Sequence, residues 1–91
     1  MEITKALEAI NKAEEELKKT TQFMENYKNI SKLFKHKCFI TPDEDVSKKR
    51  SFKSLAKEYA QYYAQYRTRL VIAERKLRVA KLRLKKYLEE V

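Results

Sequence analysis

The sequence predicts an all-α fold: a long antiparallel two-helix coiled-coil hairpin with a short helical or irregular tip. Three observations carry that expectation. Glycine is absent and proline occurs once in 91 residues, whereas ordinary domains give about a tenth of their positions to these two turn-formers. Apolar residues recur with 3–4 spacing over two long stretches, as a coiled-coil seam requires. No stretch shows the alternate-residue pattern of a strand.

The first helix is expected over about residues 3–37. One row of its seam reads Ile3, Ile10, Leu17, Met24, Ser31 and Cys38, and the companion row reads Ala6, Ala13, Thr20, Tyr27 and Phe34. The second helix, about residues 52–89, runs Phe52, Ala56, Tyr59, Tyr63, Tyr66, Leu70, Ala73, Leu77, Ala80, Leu84, Tyr87 and Val91 without a slip. The tyrosine-rich stretch EYAQYYAQY (58–66) therefore belongs to the seam, with Tyr62 beside it as the candidate surface aromatic. Base-stacking platforms need exposed rings, which a seam does not offer.

Between the repeats lies FITPDEDVSKKRS (39–51), which with Cys38 makes up the tip at 38–51. Thr41-Pro42-Asp43-Glu44 has the form of a helix start, with a hydroxyl cap, proline in the first turn and Glu44 completing a capping box. Helix 2 accordingly begins either near Pro42 or, after a short turn, near Ser51. So short a connection makes the helices antiparallel. Pairing residues whose numbers sum to 90 sets small against large: Ala6 with Leu84, Ile10 with Ala80, Ala13 with Leu77, Leu17 with Ala73, Ser31 with Tyr59, and Phe34 with Ala56. Such alternation fills an interhelical layer without voids; a slide of one heptad, to a sum of 83, also fits but leaves Tyr87 with no partner. The whole chain reads as a single helical-hairpin domain.

Several apolar residues fall outside the seam. Phe23 and Ile30 share a flanking row that faces Leu55 and Tyr62, with Leu33 nearby. Phe39, Ile40 and Val46 of the tip could fold back over this strip, or a second molecule could cover it. Ile72, Val79 and Leu82 are expected on the outer side of helix 2. A two-helix hairpin has little core of its own, so self-association into a four-helix-bundle homodimer through one of these strips is expected.

Charge sets the functional expectation. The net charge is +9. Residues 1–30 hold five Lys against six Glu, and residues 31–91 hold seventeen Lys and Arg against seven acids. That asymmetry points to a polyanionic partner for the second half. Arg69, Arg75, Lys76, Arg78, Lys81, Arg83, Lys85 and Lys86 all lie off the seam and are the candidate phosphate contacts. Arginine suits that role because its guanidinium fork donates two bonds in one plane. The competing reading is a solvated face partly neutralised by Glu8, Glu14, Glu15 and Glu16. A second basic patch, Lys48, Lys49, Arg50 and Lys53, lies near the tip.

No nucleophile–base pair, glycine-rich loop or paired acid cluster is present, so no enzyme activity, cofactor or small-molecule substrate is expected. His36 lacks neighbours at metal-ligand spacing, and Cys38 falls on the seam as a small hydrophobe. The single cysteine and the absence of an apolar leader or membrane-spanning run fit an intracellular, cytoplasmic protein. Two function classes follow. The first is a small basic protein contacting nucleic acid through helix 2. The second is an adaptor or inhibitor, of the kind phages and mobile elements encode as regulators, docking on a larger and possibly nucleic-acid-handling protein.

Overall fold

In a computed structural model, which describes residues 2–90, two helices account for nearly all of the chain. Helix α1 spans Glu2–Ile40 and α2 spans Val46–Glu90. Among the described residues there is no strand. Two compact units are distinguished, each made of a stretch of α1 and a stretch of α2. Unit 1 comprises residues up to Thr21 and from Thr68 onward, and unit 2 is Gln22–Arg67.

Burial follows the predicted seam. Along α2, every seam residue from Phe52 to Tyr87 is buried or half-buried; on α1 the same holds from Ala6 to Cys38, with Ile3 exposed. The buried positions are the small ones: Ala6, Ala13, Thr20 and Ala73 in unit 1, Ser31 and Ala56 in unit 2. Ala73 is the most enclosed, at 1% exposure. Their larger partners, such as Leu17, Phe34 and Leu77, are half-buried. Small against large lets the helix backbones approach while the longer side chains pack around the contact.

The two buried hydroxyls have partners. Thr20 Oγ1 donates to the Glu16 carbonyl at 2.7 Å, and Ser31 Oγ crosses to α2, donating to the Ala56 carbonyl at 2.9 Å. Each bond avoids the cost of burying an unsatisfied hydroxyl.

Aromatic rings set the register in unit 2. Tyr27 lies among Tyr59, Tyr62 and Tyr66, at centroid distances of 6.0, 5.4 and 5.2 Å. Phe34 lies between Phe52 at 6.2 Å and Tyr59 at 5.8 Å. A register summing to 90 places Tyr27 opposite Tyr63 and Phe34 opposite Ala56, in the middle of those neighbours. A slip of one heptad would set Tyr27 against Ala56 instead. Ring pairs of this kind add ~0.5–1.5 kcal/mol each beyond the area they bury. Tyr62 is not the free surface aromatic that the sequence suggested. It is half-buried against Tyr27 and, edge-on, against Tyr59 at 5.6 Å, and its hydroxyl donates to Glu58 Oε1 at 2.9 Å.

The tip differs from expectation. Both helices extend into it, leaving only residues 41–45 as the connection. Thr41 ends α1 rather than starting α2: its amide and its Oγ1 both donate to the Lys37 carbonyl, at 3.1 and 2.6 Å. Pro42 disfavours helical geometry in the residue before it. A turn follows, closed by the Asp45 amide donating to the Pro42 carbonyl at 3.0 Å. Asp45 then caps α2, accepting the Lys48 amide on Oδ1 at 3.4 Å, while its carbonyl accepts the Lys49 amide at 3.1 Å. Neither Pro42 nor Ser51 begins the helix. Antiparallel helices need residues in which to reverse direction, and a helix starting at Pro42 would leave only Thr41 after the end of α1 at Ile40.

Candidate functional site

Helical geometry divides the basic residues of unit 1 into two rows. Arg69, Lys76, Arg83 and Lys86 each precede a seam residue, whereas Arg78, Lys81 and Lys85 each follow one. Positions before and after the seam flank it on opposite sides. All eight predicted contact residues, Arg75 included, are exposed. They therefore form two basic surfaces, not one.

The expected neutralisation by α1 is largely missing. Lys76 Nζ meets Glu16 Oε1 at 3.5 Å, and both side chains are about half exposed, so the pair contributes little. Among the described residues, Glu8, Glu14 and Glu15 form no ion pair, and neither do Arg75, Arg78, Lys81, Arg83, Lys85 or Lys86.

The row that precedes the seam borders a groove of about 830 Å³. Its floor comes from Ala6, Ala9 and Ala13 of α1 and from Ile72, Val79 and Ala80 of α2; its rims carry Lys5, Lys12, Arg75, Lys76 and Arg83, with Glu16 as the acid. Ile72 and Val79 thus do not project from the outer side of α2 as expected. They line the groove, at 47% and 46% exposure, while Leu82 lies outside it. The α1 lysines were not singled out from the sequence. Their signal was their position: Lys5 and Lys12 precede Ala6 and Ala13, which puts them on the same side as Ile72 and Val79 in an antiparallel pair.

Unit 2 has a basic groove of about 780 Å³ over Cys38, Ala56 and Ala60, edged by Lys35, Lys49, Arg50, Lys53 and Lys57. Three of the four predicted second-patch residues reach it; Lys48 is exposed elsewhere. Lys49 Nζ is hydrogen-bonded to Asp43 Oδ1. That bond, reinforced by charge attraction, lowers the Asp43 carboxyl below its ordinary value, and the same bond raises the Lys49 ammonium. Cys38 is half-buried with its thiol directed at the Lys49 carbonyl, 3.5 Å away. His36 is exposed.

Leu55 precedes Ala56 and Lys57 follows it, so the apolar strip of unit 2 lies on the side away from this groove. Phe23 and Leu33 of the strip are exposed, and Ile30, Leu55 and Tyr62 are half-buried. Phe23 stacks on Tyr66 at 5.7 Å. The tip does not roof the strip: Phe39, Ile40 and Val46 are 85%, 62% and 57% exposed.

Among the described residues no group of three His, Cys, Asp or Glu side chains could hold a metal ion, and no helix is long and apolar enough to cross a membrane. No protein-family model, curated protein or solved structure matches this chain.

Proposed function

We propose that this is a non-enzymatic binding protein that contacts the nucleic-acid backbone through the exposed bases of α2. The observation that carries the reading is the row Arg78, Lys81 and Lys85. All three are exposed, none has an ion-pair partner among the described residues, and all face one side of the seam. Rises of about 1.5 Å per residue space them about 4.5 and 6 Å apart along the axis. Unpaired like charges held that close repel one another, and a polyanion relieves the repulsion while releasing its own counterions. Contacts of this kind read phosphate, so the binding is insensitive to base sequence.

The test is a titration of duplex and single-stranded DNA and RNA at several salt concentrations. Changing Arg78, Lys81 and Lys85 together to Gln should reduce the salt slope by about three and weaken unrelated sequences alike. Wild type with no salt-sensitive binding to any of these probes defeats the reading. A nucleic-acid partner of this kind implies an intracellular setting.

Self-association belongs to the same proposal. The strip of Phe23, Ile30, Leu33, Leu55 and Tyr62 is uncovered, while the fully enclosed core consists of small residues. A second copy laid on this strip gives a four-helix-bundle homodimer and adds the large buried side chains that each chain lacks. Sedimentation should show a dimer that Phe23→Glu with Leu55→Glu converts to monomer. A wild-type monomer at high micromolar concentration removes this part of the proposal.

A further inference from the structure

The groove of unit 1 has a feature that phosphate binding does not use. Between its basic rims, Ile72 and Val79 stand half exposed over a floor of alanines. A sugar–phosphate backbone would satisfy the rims and leave this apolar surface uncovered. Water covers it in the isolated chain, and leaving apolar surface in water is unfavourable in proportion to its area. The occupant that completes the groove therefore brings both negative charge and an apolar ridge.

Its geometry is that of a third helix. Ile72 and Val79 are seven residues apart, and so are Lys5 and Lys12, so the apolar floor and the basic rim both repeat at about 10.5 Å, the length of one heptad. Ala6, Ala9 and Ala13 provide no bulk on the α1 side, which lets another helix come close. Helix-in-groove docking of an amphipathic segment reuses this arrangement, with its ridge on the floor and its flanks on the rims.

Charge decides whose helix it is. The rims carry five bases against one acid. A symmetric dimer through this face would set those bases against themselves, because an isologous interface meets its own surface. We propose that the unit 1 groove is a docking site for an acidic amphipathic helix of a partner protein. This site lies across the seam from Arg78, Lys81 and Lys85, so it goes beyond the nucleic-acid reading and stands without it.

The probe is a fluorescein-labelled synthetic peptide of four heptads, with Leu at the seam positions and Glu at the flanks, followed by anisotropy. A scrambled peptide of the same composition is the control. Wild type should bind the amphipathic peptide at least about tenfold more tightly than the scramble, a difference of ~1.4 kcal/mol. Ala9 is exposed beside the seam, so Ala9→Phe fills the groove without disturbing the interhelical layers; circular dichroism checks that the variant is folded. Binding of the peptide should fall about tenfold or more in Ala9→Phe, and also when Lys12→Glu is combined with Arg75→Glu. Duplex DNA should bind Ala9→Phe as it binds wild type, or fail to bind both. Equal binding of scramble and amphipathic peptide, failure of the amphipathic peptide to bind wild type at high micromolar concentration, or undiminished binding to Ala9→Phe each overturns the proposal. So does selective loss of DNA binding in Ala9→Phe, which would make nucleic acid the occupant.

Discussion

Exchanging sizes within one seam layer tests the packing most directly. The register sets Leu17 of α1 against Ala73 of α2, and Ala73 is 1% exposed. Ala73→Leu alone pushes three extra carbons into that space, and overpacking of this order costs about 1–3 kcal/mol. Leu17→Ala alone removes the large partner. Full burial would make that loss ~2–5 kcal/mol; Leu17 is half-buried, so about 1–2 kcal/mol is expected. The double variant again has one leucine and one alanine in the layer. Its cost should be under about 1 kcal/mol, leaving a favourable coupling of about 1 kcal/mol or more.

Thermal and urea unfolding followed by helix circular dichroism read these values. One kcal/mol corresponds to about 4–8 °C in a domain of this size, so the single variants should melt well below the double. Protein concentration must be held fixed, since self-association would shift every midpoint. A double variant whose cost is the sum of the singles would mean that Leu17 does not face Ala73. In the slipped register Ala73 faces Ile10, and Ile10→Ala would then rescue Ala73→Leu. In the register of the structure Ile10 lies two turns away, and that pair should be additive.

Other outcomes follow from single contacts. Leu70→Asp and Leu77→Asp each place a charge in the half-buried seam and should each cost ~2 kcal/mol or more in the same melts; near-wild-type midpoints for both would remove the seam assignment. Asp45→Ala should cost about 0.5–1 kcal/mol as the α2 cap is lost, whereas Thr41→Ala should leave the start of α2 unchanged in amide-exchange protection. The Asp43 carboxyl should titrate below its usual range by carbon-detected NMR and return to it in Lys49→Gln, since the Lys49 bond holds it down. Its folded value is depressed, so the pair's contribution is present above the unfolded carboxyl pKa and is lost as pH falls through the folded one; loss on raising pH through neutrality would contradict the assignment. The Tyr62 phenol, raised chiefly by its bond to Glu58, should ionise at lower pH in Glu58→Gln, read by ultraviolet absorbance.

The seam was legible because helical periodicity maps directly onto burial. Each α2 position from Phe52 to Tyr87 with 3–4 spacing is withdrawn from solvent, and matching volumes narrowed the small-to-large pairing to two registers, of which the one-heptad slide leaves Tyr87 without a partner. Of the six pairs that fixed the register, the small member is buried in five; Ala80 is half-buried. The tip was not legible, because Thr41, Asp43 and Asp45 are all competent helix caps. The choice among them depends on how many residues the reversal needs, which is a property of the helix pair and not of the local sequence. Tyr62 was misread for a related reason. Its row lies beside the seam, yet a tyrosine is long enough to reach Tyr27 across the interface.

Grooves follow from the same narrow core. Where alanines let two helices come close, their flanking side chains define a channel rather than a flat face, and what lines it is the row before or after the seam on both helices together. Reading α2 by itself assigned Ile72 and Val79 to an outer side and eight bases to a single surface. Adding Lys5, Ala9 and Lys12 from α1 turns three of those bases, Arg75, Lys76 and Arg83, into the rim of an apolar channel and leaves Arg78, Lys81 and Lys85 on the other side. The division separates two chemistries that net charge merges. In the proposed reading, phosphate alone satisfies the second row, while the first takes carboxylates carried on an apolar helix. Gln substitutions in the two rows, Lys76 with Arg83 against Arg78 with Lys81 and Lys85, should therefore have different consequences. The second set should lower the salt slope for DNA, and the first should weaken the acidic helical peptide. If both sets impair DNA binding equally, the two rows act as one surface and the division by side of the seam is wrong.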